Sequence, residues 1–118
     1  MFIHRIHGHP THDLAIFLAQ RHLKNKGCIL KDPDVFKKKY LFPGEPDIYF
    51  DYVEKGKKYT FIVEMESNPT KANTIKKTHQ FKDSNSGITD MIIIDLSLCE
   101  HQDCISKFEK YIVSRLPV

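Results

Sequence analysis

The sequence predicts a single α/β domain, and three observations point there. Two stretches alternate polar and apolar residues across a short glycine turn. A later run is continuously apolar, and residues before, between and after these stretches repeat at helical spacing. Thr11 is the expected N-cap of a first helix, with Leu14, Phe17, Leu18 and Leu23 at helical spacing until Gly27. His12 and Asp13 then fall in its first turn, where the helix dipole favours the aspartate. Cys28-Ile29-Leu30 suggests a first strand. A Pro- and Lys-rich passage follows, with Val35-Phe36 and Tyr40-Leu41-Phe42 as short-strand candidates and Pro43-Gly44 as a turn.

The hairpin runs from Asp47 to Glu66, around Glu54-Lys55-Gly56-Lys57. A turn centred on Lys55-Gly56 pairs Tyr52 with Tyr59, Phe50 with Phe61, Ile48 with Val63 and Asp47 with Glu64. Asn68-Pro69-Thr70 starts a second helix, which Ala72, Ile75 and Phe81 support as far as Lys82 before Ser84-Asn85-Ser86-Gly87 breaks it. Met91 to Ile94, within Thr89–Asp95, reads as a strand covered on both faces. Cys104, Ile105, Phe108 and Ile112 form one face of a terminal amphipathic helix. The order is α-β-β-β-α-β-α across residues 1–118, with no repeats, low-complexity tracts or linkers.

Within the hairpin, Ile48, Phe50, Tyr52, Tyr59, Phe61, Val63 and Met65 point to one face. The opposite face collects Asp47, Glu64 and Glu66 near one end. Directly opposed residues have Cβ atoms about 4.5–5.5 Å apart, so these carboxylates repel unless a cation sits among them. A hard divalent cation with oxygen ligands would offset that repulsion. Asp51 shares the face but lies four residues from Asp47, and is expected at the surface.

Composition narrows the classes. At 41% hydrophobic, 118 residues suit one core. No run approaches the roughly 18 apolar residues of a membrane span, and Met1-Phe2-Ile3-His4-Arg5 lacks a signal-peptide core. The expectation is a cytoplasmic protein without a membrane partner. Three cysteines, Cys28, Cys99 and Cys104, support neither a disulfide framework nor a zinc ribbon. His4, His7, His9 and His12 cluster in the lead-in without the spacing of a structural zinc site. A net charge of +3 permits nucleic-acid binding without demanding it. Lys37, Lys38 and Lys39 precede the acidic hairpin, and Lys71, Lys76, Lys77 and Lys82 follow it. That arrangement suits a phosphodiester whose scissile phosphate meets a metal, although lysine runs also mark ordinary solvated surface.

Pro46-Asp47 on one strand, then Glu64-Met65-Glu66 on the next, in an αβββαβ order, resembles the PD-(D/E)xK, or restriction-endonuclease-like, nuclease superfamily. The family usually carries lysine where this chain has Glu66, and the resemblance is to its Glu-x-Glu variants. A narrower resemblance is to plasmid replication-relaxation proteins, through His12-Asp13-Leu14, Pro46-Asp47, Glu64-Met65-Glu66 and Lys77-xxx-Phe81. The resemblance implies a central mixed sheet flanked by helices, with the C-terminal helix added. It also implies Mg²⁺ or Mn²⁺ held by Asp47, Glu64 and Glu66, and a catalytic set of Asp47, Glu64, Glu66, Lys77 and Asp13. Lys77 would replace the missing strand lysine from the following helix, and Asp13 would reach in from the first helix. Lys37, Lys38, Lys39, Lys71, Lys76, Gln80 and His12 would contact nucleic acid.

The activity expected from this likeness is metal-dependent DNA endonuclease cleavage, structure-selective or nonspecific. The alternative is an inactive nucleic-acid-binding or replication/transfer accessory protein of the same fold, from a plasmid, virus or other mobile element. DNA is the expected partner, a homodimer would suit cutting both strands, and a replication or transfer complex would suit the accessory role.

Overall fold

Lys55 and Gly56 turn the chain back on itself with φ of 52° and 76°, the sign pattern a type I′ hairpin turn requires. The computed structural model describes residues 10–40, 42, 44–83 and 87–118, with Asp83 described in its backbone alone. The strands flanking the turn are β2 (Ile48–Glu54) and β3 (Lys57–Glu66). They pair as the alternation dictates: Ile48 with Val63, Phe50 with Phe61, Tyr52 with Tyr59. β1 (Ile29–Lys31) adds antiparallel to β2, and β4 (Asp90–Asp95) adds parallel to β3. The result is a four-stranded mixed sheet in the order β1-β2-β3-β4. A parallel neighbour requires a crossover, which α3 (Ala72–Asp83) supplies.

Helices cover both faces. On one, α1 (Pro10–Asn25) and α4 (Ile105–Ser114) pack Leu18, Leu23, Phe108 and Ile112 onto Ile48, Phe50, Val63 and Met65. Phe50 and Phe61 stack there with ring centroids 5.3 Å apart. On the other face, α2 (Pro33–Tyr40) sets Phe36 against Tyr49 and Ile62, with Phe81 of α3 at the margin. The expected mixed α/β architecture is therefore present. Among the described residues no helix is long and apolar enough to cross a membrane.

Several local expectations are corrected. Val35-Phe36 and Tyr40 are not strand but helix α2. Pro33 opens it, the position where a missing N–H costs nothing, and the Asp32 carboxylate accepts the Asp34 N–H at 2.9 Å. Leu41, Pro43 and Ser84-Asn85-Ser86 lie outside the described residues, as do His4, His7 and His9. α1 opens at Pro10, ahead of the expected cap at Thr11. Ile75 and Ile105 are exposed rather than core, since Thr74 and Phe108 hold the inward positions of their helices. β4 is an edge strand, so only Ile94 and not its whole apolar run is fully buried. The three cysteines are free thiols, Cys28 and Cys99 buried.

Candidate functional site

Asp47 sits one residue ahead of β2, and the register pairing Ile48 with Val63 carries it alongside Glu64. The face they share is not a solvated strand face. Asp47 is 6% exposed and Glu64 1%, with Lys77 of α3 against Glu64 and His12 of α1 beside Asp47. Asp47 Oδ2 accepts the backbone N–H of Met65 at 2.7 Å, a charge-assisted bond that ties the two strand ends together. Lys77, in the first half of α3, donates from Nζ to Glu64 Oε2 at 2.9 Å. Its side chain is 12% exposed. The loop before β2 passes over its stem: a Cβ built on Gly44 would lie 4.0 Å from Lys77 Cε.

His12, in the first turn of α1, completes the cluster. Its Nε2 lies 2.8 Å from the Met65 carbonyl oxygen and 3.5 Å from Asp47 Oδ2. A carbonyl only accepts, so Nε2 carries a proton and donates to it. Burial alone would depress the imidazole pKa. The hydrogen bond and charge of Asp47, the Met65 carbonyl and the charge of Asp13 outweigh that and raise it above its ordinary 6.5. Asp13 is half-buried, with Oδ1 lacking a hydrogen-bond partner among the described residues.

The remaining expected residues are more scattered. Glu66 is half-buried and pairs in register with Asp95 of the edge strand β4. Among the described residues no group of three or more His, Cys, Asp or Glu is placed to hold a metal ion. Lys37, Lys38 and Lys39 are exposed on α2, with Lys38 paired to Asp34 at 2.8 Å. Lys71 and Lys76 are exposed beside and on α3, and Gln80 is half-buried one turn after Lys76. Asp51 is buried rather than at the surface. It accepts from Thr60 Oγ1 at 2.7 Å and pairs with Lys31 Nζ at 3.6 Å. The Thr60 pairing follows from the hairpin register; the Lys31 contact was hidden because it depends on which strand lies on the other side of β2.

A fit to Mg²⁺ rests on donor chemistry. Mg²⁺ takes one or two carboxylates and completes its shell with water and substrate phosphates. Asp47 and Glu64, hard oxygen donors on one face, meet that requirement.

The Asp47 contacts carry a prediction. Asp47→Asn keeps the shape but removes the charge facing both Met65 N–H and His12, and is expected to cost about 1.5–3 kcal/mol in urea unfolding. The His12 imidazole should titrate above 6.5 in the wild type by NMR and move downward in the variant. Because its folded pKa is raised, its stabilising contribution is full below about pH 6.5 and is lost as pH rises through the folded value.

Comparison with family models, with curated proteins and with solved structures finds no match to this chain.

Proposed function

We propose that this chain is a divalent-metal-dependent nuclease of the restriction-endonuclease-like class, hydrolysing phosphodiester bonds in DNA. The observation that carries the reading is the placement of Lys77 on Glu64 beside Asp47. A carboxylate just ahead of β2, one on β3 and one helix lysine thereby share a face of a mixed sheet, whose elements run α-β-α-β-β-α-β with α2 inserted between β1 and β2. Asp47 and Glu64 would hold Mg²⁺ or Mn²⁺, which when bound supplies an activated water and stabilises charge on the phosphoryl oxygens.

The chain's own groups do the rest. Lys77 keeps a positive charge where negative charge develops on the phosphate. Glu66, two residues along from Glu64 on the same strand, is the group to accept the water's proton. His12, with Asp13 beside it, fixes the Met65 peptide against Asp47 and faces the incoming strand. No segment in the described residues suggests an elaborate sequence reader, so cutting would be nonspecific or structure-selective.

A second reading is a DNA-binding or replication-complex accessory protein of the same fold without turnover. It is favoured by the self-satisfied state of the site, with Lys77 closed on Glu64 and His12 on the Met65 carbonyl. A cleavage assay separates the two, using supercoiled plasmid and a branched oligonucleotide in Mg²⁺, Mn²⁺ or EDTA, with wild type beside Glu64→Ala. Metal-dependent cutting that disappears in the variant is expected. Cutting unchanged in the variant would exclude this site, and DNA retardation without cutting would favour the accessory protein.

A further inference from the structure

Four residues along β3 from Glu64, on the same face, the sheet opens into a groove of about 600 Å³. At the strand rise of about 3.3 Å per residue, Thr60 and Glu64 are roughly 13 Å apart. Lys31, Lys39 and Lys58 line the groove together with Tyr40, Tyr49 and Thr60. Its floor is built: Lys31 Nζ donates to the Tyr49 hydroxyl at 2.9 Å and pairs with Asp51 at 3.6 Å. Asp51 in turn is held by Thr60 Oγ1. Burial works against the Lys31 charge, but Tyr49 and Asp51 outweigh it and hold the ammonium's pKa above its ordinary 10.5.

One buried carboxylate therefore answers one of three lysines. Lys39 and Lys58 make no ion pair among the described residues. Both are exposed at the rim, and Lys39 lies over the Tyr40 ring at 5.3 Å. Uncompensated like charges sharing one groove repel, and an anion seated between them reverses the sign of that interaction. Hydroxyl donors beside lysines are the usual company of a phosphate. None of this was visible in the lysine run alone, because Lys31 and Lys58 come from other strands.

We propose that this groove binds a phosphate of a nucleic-acid backbone, placing the strand on the face that carries Asp47 and Glu64. The choice of a nucleic acid as the phosphate's carrier rests on the nuclease reading; the anion site itself does not. At about 3.4 Å rise per nucleotide, the interval to Glu64 corresponds to roughly four nucleotides. The exposed Lys37 on α2 extends the basic surface beside it.

The test is fluorescence anisotropy of a labelled DNA duplex in EDTA, so that no cleavage intervenes, across a series of salt concentrations. The Lys39→Ala/Lys58→Ala double variant is compared with wild type and with Lys107→Ala, an exposed lysine on α4 across the sheet. The double variant should lower the slope of log affinity against log salt by about 1.8, the value for two phosphate contacts. Its affinity should fall at least 10-fold, and Lys107→Ala should change neither. Unchanged slope and affinity in the double variant would overturn the proposal, as would an equal loss in Lys107→Ala. Binding of inorganic phosphate through these lysines without binding of the duplex would overturn the backbone assignment. Cleavage with unchanged lysine variants would leave the nuclease reading standing without the groove; lysine-dependent binding without cleavage would do the reverse.

Discussion

Lys77→Met is expected to destabilise the protein by about 3–5 kcal/mol, because it breaks a buried ion pair by removing one partner. Glu64 is 1% exposed, and the Lys77 ammonium donates to its Oε2 at 2.9 Å. Methionine retains the length of the stem that packs under Gly44 but withdraws the charge. The expected cost is therefore that of a broken buried ion pair, rather than that of a cavity. Urea unfolding of four proteins isolates it: wild type, Lys77→Met, Glu64→Gln and the double variant. In the Glu64→Gln background the Lys77→Met cost should shrink to about 1 kcal/mol, giving a coupling of a few kcal/mol in the cycle. Equal costs in both backgrounds would show that Lys77 stabilises by packing alone.

Phe36→Ala is expected to cost about 3–5 kcal/mol and to release α2 from the sheet. Phe36 is 1% exposed, and its ring meets Tyr40, Phe42 and Tyr49 at centroid distances of 4.7, 5.2 and 5.1 Å. α2 has eight residues, too few to hold helical structure without tertiary contacts. Apart from Phe36 and Pro33 its residues are at least partly exposed. Hydrogen exchange should therefore show the α2 amides losing protection first, while β2 and β3 keep theirs up to the global limit. Lys39 and Tyr40 ride on the same helix, so DNA affinity through the groove should fall with it. Retained α2 protection in the variant would mean that something other than this ring anchors the helix.

The two halves of the molecule differ in how far the sequence disclosed them. The hairpin register was legible because alternation and the Lys55-Gly56 turn specify the same pairing, and a one-residue slip would have turned Phe50 and Val63 out of the core. α2 was misread because Val35, Phe36 and Tyr40 are residues that favour strands. Asp32-Pro33 and the Asp34–Lys38 spacing specify a helix, and only one aromatic was needed to dock it. Asp51 was misplaced for a different reason. The hairpin register already sets Asp51 opposite Thr60 on β3, but its pairing with Lys31 on β1 is a contact that no pattern within the hairpin contains. In the site, the common face of Asp47 and Glu64 followed from strand periodicity. Lys77 was named through the family resemblance, and its turn inward onto Glu64 depends on how α3 lies across the sheet. His12 at the Met65 carbonyl depends likewise on where α1 begins.

The most direct test of the central claim is an NMR titration of the metal-free protein with Mn²⁺, beside Glu64→Gln. A paramagnetic ion held by Asp47 and Glu64 should broaden the backbone signals of Asp47, Glu64, Met65 and His12 first, and the variant should need far more Mn²⁺ for the same loss. Broadening that begins elsewhere, or that is identical in the variant, would contradict a metal site on these carboxylates and with it the nuclease assignment.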